Sequence, residues 1–134
     1  MKLIEICAAM IVNSASDLLM VRKQNSAFYQ LPGGKAEIGE TYLEALQREL
    51  LEELGLIITA SQVKYLGTHE TSAVNEDDTR VCGHIFQVNL LEGVDLEPLA
   101  ELDEVVWVTY QDYHNYQFAH LASEFVLPRW LQIN

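Results

Sequence analysis

The chain has 134 residues, the size of one domain, and 49% of them are hydrophobic, which is enough for a core without disulfides. Its formal net charge is −12, from 20 acidic against 8 basic residues. Because nucleic-acid backbones are bound by clustered cations, this balance argues against a polymeric DNA or RNA partner. We therefore expect residues 1–134 to form a single globular domain.

The amino-terminal residues and the cysteines indicate where in the cell the protein is expected. The opening MKLIEICAAMIVN is apolar, but Glu5 interrupts it, which is unlike a secretory signal. No apolar run approaches the roughly 20 residues that a membrane-spanning helix needs. Cys7 and Cys82 match no zinc-site spacing and are predicted to be reduced, half-buried core thiols. We expect a cytoplasmic protein without a membrane partner, either a monomer or a homodimer.

The first quarter of the chain predicts a β-hairpin. Residues 3–12 are rich in Ile, Val and small residues, a polar NSASD turn follows, and residues 18–23 return as the partner strand. Residues 28–31 predict a short extended piece, because Pro32 disfavours the helical region for the residue before it.

The clearest helix is predicted over residues 41–54. Thr41 and Glu44 have the spacing of a capping box, and Gly55 stands where a left-handed C-terminal cap is needed. At about 100° per residue, four leucines share one stripe that should pack on a sheet: Leu43, Leu46, Leu50 and Leu54.

The second half of the chain alternates strands with one more helix. Residues 63–74 and 81–91 predict a strand pair joined by the polar NEDDT loop, and residues 105–109 predict a strand with Trp107 in the core. Residues 118–131 predict a terminal helix whose end is weakened by Pro128. This order of elements predicts a mixed α/β sandwich.

Three glutamates crowd the C-terminal half of the predicted helix. Glu49, Glu52 and Glu53 lie within an arc of about 100°, where each like-charge pair costs roughly 0.2–0.5 kcal/mol and the helix dipole disfavours anions. Arg48 is the only cation between residues 41 and 58. Two interpretations are open: a solvated acidic face, or a site for hard divalent cations, which prefer carboxylate oxygens.

The preceding segment, LPGGKAEIGET, favours the cation site. Gly33 and Gly34 allow backbone shapes that bring a carbonyl or an N–H close to a metal or phosphate, and Lys35 adds a cation. Gly34, Glu40 and the run RELLEELGL at residues 48–56 together resemble the Nudix box, G-x5-E-x7-R-E-U-x-E-E-x-G-U, at every fixed position. The resemblance implies a Nudix-like α/β/α sandwich with a mixed central sheet.

The resemblance also implies a chemistry and a metal site. Nudix hydrolases use Mg²⁺ or Mn²⁺ to cleave the pyrophosphate linkage of a nucleoside diphosphate joined to another group, so a small-molecule nucleotide is the expected partner. By resemblance, Glu49, Glu52 and Glu53 are metal ligands together with the Gly34 carbonyl. Glu101 is a further candidate, because MutT-type members carry a glutamate in a similar place. Glu97, Glu104 or a plain surface charge remain alternatives for that position.

Four residues of the motif are implied to be catalytic. Glu40 and Arg48 resemble the pair that orients the metal-binding carboxylates, although Arg48 could instead make a weak surface ion pair with Glu44 or Glu52. Glu53, or else Glu52, is the predicted base that accepts a proton from water.

The PGGK sequence resembles the MutT-type branch, which converts nucleoside triphosphates to monophosphates and pyrophosphate. Lys35 is then expected on the phosphate chain, with Gly33 and Tyr29 in the substrate-binding set. Further candidates for contact with the base are Phe28, His84, Phe118 and His120, each of which could equally be packing or surface. Two alternatives remain: hydrolysis of a nucleotide sugar such as ADP-ribose, and nucleotide binding without cleavage in a regulator.

Overall fold

The computed structural model describes residues 1–90 and 96–133, and one six-stranded sheet organises them. Its strands are β1 Lys2–Val12, β2 Leu18–Lys23, β3 Gly33–Lys35, β4 Val63–Ser72, β5 Thr79–Asn89 and β6 Leu102–Val108. The main order is β4-β5-β1-β2-β6, and β3 pairs with the middle of β1. The β1–β5 pair is parallel and the other pairs are antiparallel, so the predicted mixed sheet is confirmed.

Helices cover both faces of this sheet, which confirms the α/β/α arrangement. Helix α1 spans Tyr42–Leu54. Near the C-terminus, a π-helical segment at Ala122–Val126 continues directly into α2 Leu127–Ile133. Two short 3-10 turns lie at Ala60–Gln62 and Tyr113–Asn115. Within the described ranges, no helix combines the length and the apolar character that crossing a lipid bilayer takes.

Strand β1 separates two apolar cores, because successive side chains of a strand point to opposite faces. One face packs against the buried leucines of α1, and the other packs against the C-terminal helix, where Phe125, Val126 and Trp130 are buried. Both cysteines are free thiols; Cys7 is fully buried in the first core, so the predicted half-burial is confirmed for Cys82 alone.

Several element boundaries differ from the sequence prediction. Strand β5 begins two residues earlier than predicted, and Leu91, its predicted end, lies outside the described residues. The short extended piece predicted at residues 28–31 pairs only through isolated bridges, from Gln30 to Val21 and from Tyr29 to Phe118. Strand β6 begins at Leu102 and not at residue 105, because β2 pairs with it that far.

The C-terminal helix also departs from the prediction. It is helical from His120 and not from Phe118, because Phe118 is held by its bridge to Tyr29. The π-helical turn ends two residues before Pro128, which lacks an N–H and whose ring crowds the preceding turn. Trp107 is half-buried against the α1-side core, whereas Trp130 is fully buried and donates its indole N–H to the Ser16 carbonyl at 2.7 Å.

Candidate active site

Helix α1 is fixed at both ends, and this sets where its glutamates point. The Thr41 hydroxyl accepts the Glu44 N–H at 3.1 Å, while the Glu44 carboxylate accepts the Thr41 N–H at 2.9 Å. At the other end Gly55 takes a left-handed φ of 65° and caps the last carbonyls. With Leu46 and Leu50 fully buried on the sheet, the neighbouring glutamates are turned toward β3.

Two of the three residues of strand β3 are glycines, and a Cβ at either position would force its neighbours to move. Gly33 has φ +142°, and a Cβ there would lie 2.1 Å from the Cys7 carbonyl oxygen of β1. A Cβ on Gly34 would lie 2.4 Å from the carboxyl carbon of Glu49. Pairing with β1 makes this glycine-rich segment a strand that runs along the carboxylates.

Glu53 is the buried member of the carboxylate cluster. Only 2% of the residue is exposed, and its Oε1 accepts the backbone N–H of Gly33 at 3.0 Å. Burial raises the pKa of Glu53 to about 7, against the lowering effect of the Gly33 hydrogen bond. Burial likewise raises the pKa of Glu49, while Arg48 opposes that shift. Glu52 is more than half exposed.

Arg48 and Glu40 form a two-pronged ion pair beside the cluster. Nε and Nη2 of Arg48 donate to the two carboxylate oxygens of Glu40 at 2.7 and 3.0 Å. Arg48 also donates to the Lys35 carbonyl at 2.9 Å and to Glu49 at 3.1 Å. The Arg48 guanidinium lowers the pKa of Glu40. This geometry favours the orienting interpretation, since the i,i+4 contact with Glu52 is longer, at 3.6 Å.

Glu101 approaches the cluster from the turn before β6. Its charge raises the pKa of both Glu49 and Glu53, so it acts on the same buried carboxylates. Its Oε1 lies 3.2 Å from Nζ of Lys23. Glu104, an alternative for this role, is held by Arg22 and by the hydroxyl of Tyr29 at 2.7 Å. As a metal ligand Glu101 stays a prediction.

The donor set fits a hard divalent cation. The carboxylates of Glu49, Glu52, Glu53 and Glu101 and the carbonyl of Gly34 offer oxygen atoms alone, which is what Mg²⁺ and Mn²⁺ prefer. Two of these carboxyls have raised pKa values because burial is not offset by cations of the protein. A bound cation would supply the missing positive charge.

A cavity of about 170 Å³ adjoins the cluster through Gly33 and Gly34. Lys23 and Lys35 line it, together with residues of β1, the end of β4, the β4–β5 connection and the start of the C-terminal helix. His120, which lines the cavity, lies with its Nδ1 2.9 Å from the Ser72 carbonyl oxygen. This is where the structure brings the predicted substrate-binding residues Gly33 and Lys35.

Tyr29 does not line this cavity. Its hydroxyl donates to Glu104, and its ring packs edge-on against Tyr116 with centroids 4.9 Å apart. His84, another candidate for contact with a base, lies instead beside Glu5 on the α1 face of the sheet. Sequence reasoning missed the cavity residues 71–76, at the end of β4 and in the β4–β5 connection, because no local pattern marks them as a binding surface.

The family follows from comparison with known proteins. The NUDIX domain model matches residues 2–128. The chain belongs to the Nudix family. The CTP pyrophosphohydrolase of Escherichia coli is 30% identical over 125 residues, which cover 89% of this Nudix chain and 85% of that protein. The family model and this related hydrolase confirm the prediction that the chain is a Nudix hydrolase.

Two further relatives show the range of this Nudix group. The ADP-ribose pyrophosphatase of Methanocaldococcus jannaschii is 42% identical over 86 residues, which are 62% of this chain and about half, 49%, of that protein. A MutT structure from a study of the Aliivibrio salmonicida and Vibrio cholerae proteins superposes with a TM-score of 0.66, at 26% identity, covering 99% of this chain and 100% of that one. The resemblance to MutT-type Nudix proteins is thus confirmed.

Proposed function

We propose that this Nudix hydrolase is a divalent-cation-dependent pyrophosphohydrolase that cleaves a nucleoside triphosphate, or a modified nucleotide, to a monophosphate and pyrophosphate. The observation that carries the proposal is the buried carboxylate of Glu53, bonded to the Gly33 N–H. It lies where the carboxylate cluster meets a cavity lined by Lys23 and Lys35. We propose that the protein acts on free nucleotides in the cytoplasm.

The oxygen donors of the cluster would hold Mg²⁺ or Mn²⁺: Gly34, Glu49, Glu52, Glu53 and Glu101. When bound, the metal supplies positive charge that neutralises the phosphates and favours attack by water. The protein itself contributes orientation. The fork of Arg48 fixes Glu40, the Lys35 carbonyl and Glu49 in one arrangement, so the carboxylates are preorganised for their ligands.

Glu53 is the proposed base, with Glu52 as the second candidate. The water oxygen forms a bond to phosphorus, the bridging P–O bond between the α and β phosphates breaks, and the water proton passes to the carboxylate. Burial favours Glu53 over Glu52, because Glu53 is 2% exposed beside Gly33 whereas the Glu52 side chain is 54% exposed. Its bond to the Gly33 N–H holds the carboxyl group in one orientation.

The triphosphate is favoured by charge. A protein with net charge −12 has few cations to meet an anionic tail, yet two of its lysines line this one cavity. The related CTP pyrophosphohydrolase supports a triphosphate substrate. The related ADP-ribose pyrophosphatase supports the second candidate, a nucleotide sugar. A regulator that does not cleave its ligand is disfavoured, because every glutamate of the Nudix motif is retained.

The test is a comparison of kcat/KM across nucleoside triphosphates, ADP-ribose and other nucleotide sugars with Mg²⁺. We expect a triphosphate to be the best substrate and Lys35→Ala to lower its kcat/KM more than that of any nucleotide sugar. Lys64→Ala is the matched control, because it removes an exposed lysine of β4 outside the cavity lining. It should change kcat/KM for neither the triphosphates nor the nucleotide sugars. A nucleotide sugar that exceeds every triphosphate would replace the substrate assignment.

A further inference from the structure

A second group of potential metal ligands lies on the α1 face of the sheet, apart from the carboxylates of the Nudix motif. Ligand atoms of Glu5, Cys82 and His84 all lie within 4.8 Å of one another. The parallel register of β1 and β5 explains this, since Glu5 stands directly opposite Cys82 and Cys7 opposite His84. Cys82 and His84 are two residues apart and therefore share one face of β5.

The distances within this group suit a tetrahedral cation. Nε2 of His84 and Oε1 of Glu5 are 3.3 Å apart. That is long for an N–H···O bond, whose usual length is about 2.9–3.0 Å. It matches the edge of a zinc tetrahedron, about 3.4 Å for one nitrogen and one oxygen ligand at ordinary Zn–N and Zn–O lengths. The thiol of Cys82, the third potential ligand, lies within 4.8 Å of a ligand atom of His84 and of Glu5.

His84 is nearly buried and is held beside Glu5 by its neighbours. The residue is 5% exposed, and its Nδ1 is buried without a hydrogen-bond partner in the part of the chain that the structure describes. Nε2 is the ring nitrogen beside Glu5, so a cation bound there would leave Nδ1 unpaired. Tyr42 of α1 stacks on the imidazole, with ring centroids 3.6 Å apart, and its hydroxyl lies 3.5 Å from Oε1 of Glu5. These contacts hold the imidazole and the carboxylate side by side.

We infer that Glu5, Cys82 and His84 form a binding site for a zinc-type divalent cation, distinct from the Mg²⁺ or Mn²⁺ site of the Nudix motif. A thiol and an imidazole are ligands that Zn²⁺ takes and Mg²⁺ does not. Half of the Glu5 side chain is exposed, and a second cavity reaches Glu5 and Tyr42 from outside, which provides an entry path. Three protein ligands leave one position for water.

Binding must displace a proton. Burial, followed by the charges of Glu5 and Glu70, raises the pKa of the Cys82 thiol, so the ion-free protein carries it protonated at neutral pH. Zinc binds the thiolate, and the released proton enters the solvent. Proton release on binding is therefore expected whether or not the protein is active as a hydrolase.

The experiment is a Co²⁺ titration of the full chain with excess Mg²⁺ present to occupy the oxygen ligands. Absorbance of the thiolate-to-cobalt charge-transfer band and its displacement by Zn²⁺ are followed. We expect one equivalent of Co²⁺ to produce the band, Zn²⁺ to displace it, and Cys82→Ser to abolish it. Glu5→Gln should weaken zinc binding at least about 10-fold. Circular dichroism confirms that each variant is folded.

Two controls isolate the site. Cys7→Ala removes the other thiol, which lies on the same face beside His84, and should leave the band intact. Glu53→Gln alters the Nudix carboxylates and should also leave it intact. No band in the unaltered protein, a band that survives Cys82→Ser, or unchanged zinc affinity in Glu5→Gln would each overturn the site. None of these outcomes bears on whether the protein hydrolyses nucleotides.

Discussion

Replacing Glu53 with Gln should stabilise the metal-free protein while it abolishes turnover. The carboxylate is 2% exposed, and burial raises its pKa from 4.5 to about 7. Each pKa unit corresponds to 1.36 kcal/mol, so keeping this group ionised in the folded state costs roughly 3 kcal/mol at pH 8. Gln is uncharged, nearly the same shape, and can still accept the Gly33 N–H through its carbonyl oxygen.

The pH dependence of the stability gained by Glu53→Gln follows from the raised pKa of Glu53. Below pH 4.5 the carboxyl is protonated in both the folded and unfolded states, so the substitution changes little. Between pH 4.5 and about 7 the unfolded chain ionises while the folded protein keeps its proton, and the penalty grows. Above pH 7 the penalty is complete. We therefore expect Glu53→Gln to raise Tm by about 10 °C at pH 8 with EDTA present, and little at pH 4.5.

The assay is thermal unfolding by circular dichroism, across this pH range, with EDTA or with Mg²⁺. Glu52→Gln is the matched control: its side chain is 54% exposed, so its Tm should stay close to that of the unaltered protein. A Glu53→Gln variant that is less stable than the unaltered protein at pH 8 with EDTA, or whose gain is the same at pH 4.5 and pH 8, would refute the reasoning from burial. Near-normal turnover of the folded variant would remove Glu53 as base or ligand.

Further predictions test the orienting pair, the glycine strand and the metal. Gly33→Ala should lower the free energy of unfolding, measured in urea, by at least about 3 kcal/mol, because its Cβ would meet the Cys7 carbonyl. The control Gly39→Ala, whose Cβ would have nothing within 4 Å, should cost only ~1 kcal/mol, and equal losses would contradict this packing. Arg48→Lys should lower kcat/KM roughly 10- to 100-fold in a folded protein, since Lys cannot reproduce the two-pronged bond to Glu40, and an unchanged value would leave Arg48 without an orienting role. Mg²⁺ should raise Tm by binding the native state, and EDTA should reverse this rise. If Mg²⁺ raises the Tm of Glu49→Gln equally, the cation binds at another site.

Much of helix α1 could be predicted because its signals are local. The capping box at Thr41, the Gly55 cap and the leucine stripe each depend on residues within a few positions, and all are confirmed. The crowding of Glu49, Glu52 and Glu53 follows from the same helical period. The fixed spacing between Gly34 and these glutamates links the strand to the helix, so the motif predicts which residues form the site.

What could not be predicted depends on contacts between distant residues. Strand β3 has two glycines in three residues and no apolar alternation, so only its pairing with β1 makes it a strand. That same strand buries Glu53, whose carboxylate accepts the Gly33 N–H. The helical period alone places all three glutamates outside the leucine stripe and does not predict this burial. The grouping of Glu5 with His84 likewise depends on the β1–β5 register, which no local pattern in either strand encodes.

The aromatic residues show a similar limit. Trp107 was expected in the core and is half-buried, while Trp130 fills the centre of the other core. Both lie in apolar segments, and the choice between them depends on where β6 and the C-terminal helix meet the sheet. Tyr29 lies outside the cavity lining, and its hydroxyl donates to Glu104 because β2 and β6 place Arg22 and Glu104 beside it. Its role in substrate binding stays a prediction.

The most direct test of the proposed function is phosphorus NMR of the products formed from a nucleoside triphosphate with Mg²⁺, without added pyrophosphatase. We expect equal amounts of nucleoside monophosphate and pyrophosphate, no reaction when EDTA is added first, and no reaction in Glu53→Gln. Nucleoside diphosphate and orthophosphate as products, or cleavage that continues in EDTA, would contradict metal-dependent hydrolysis between the α and β phosphates.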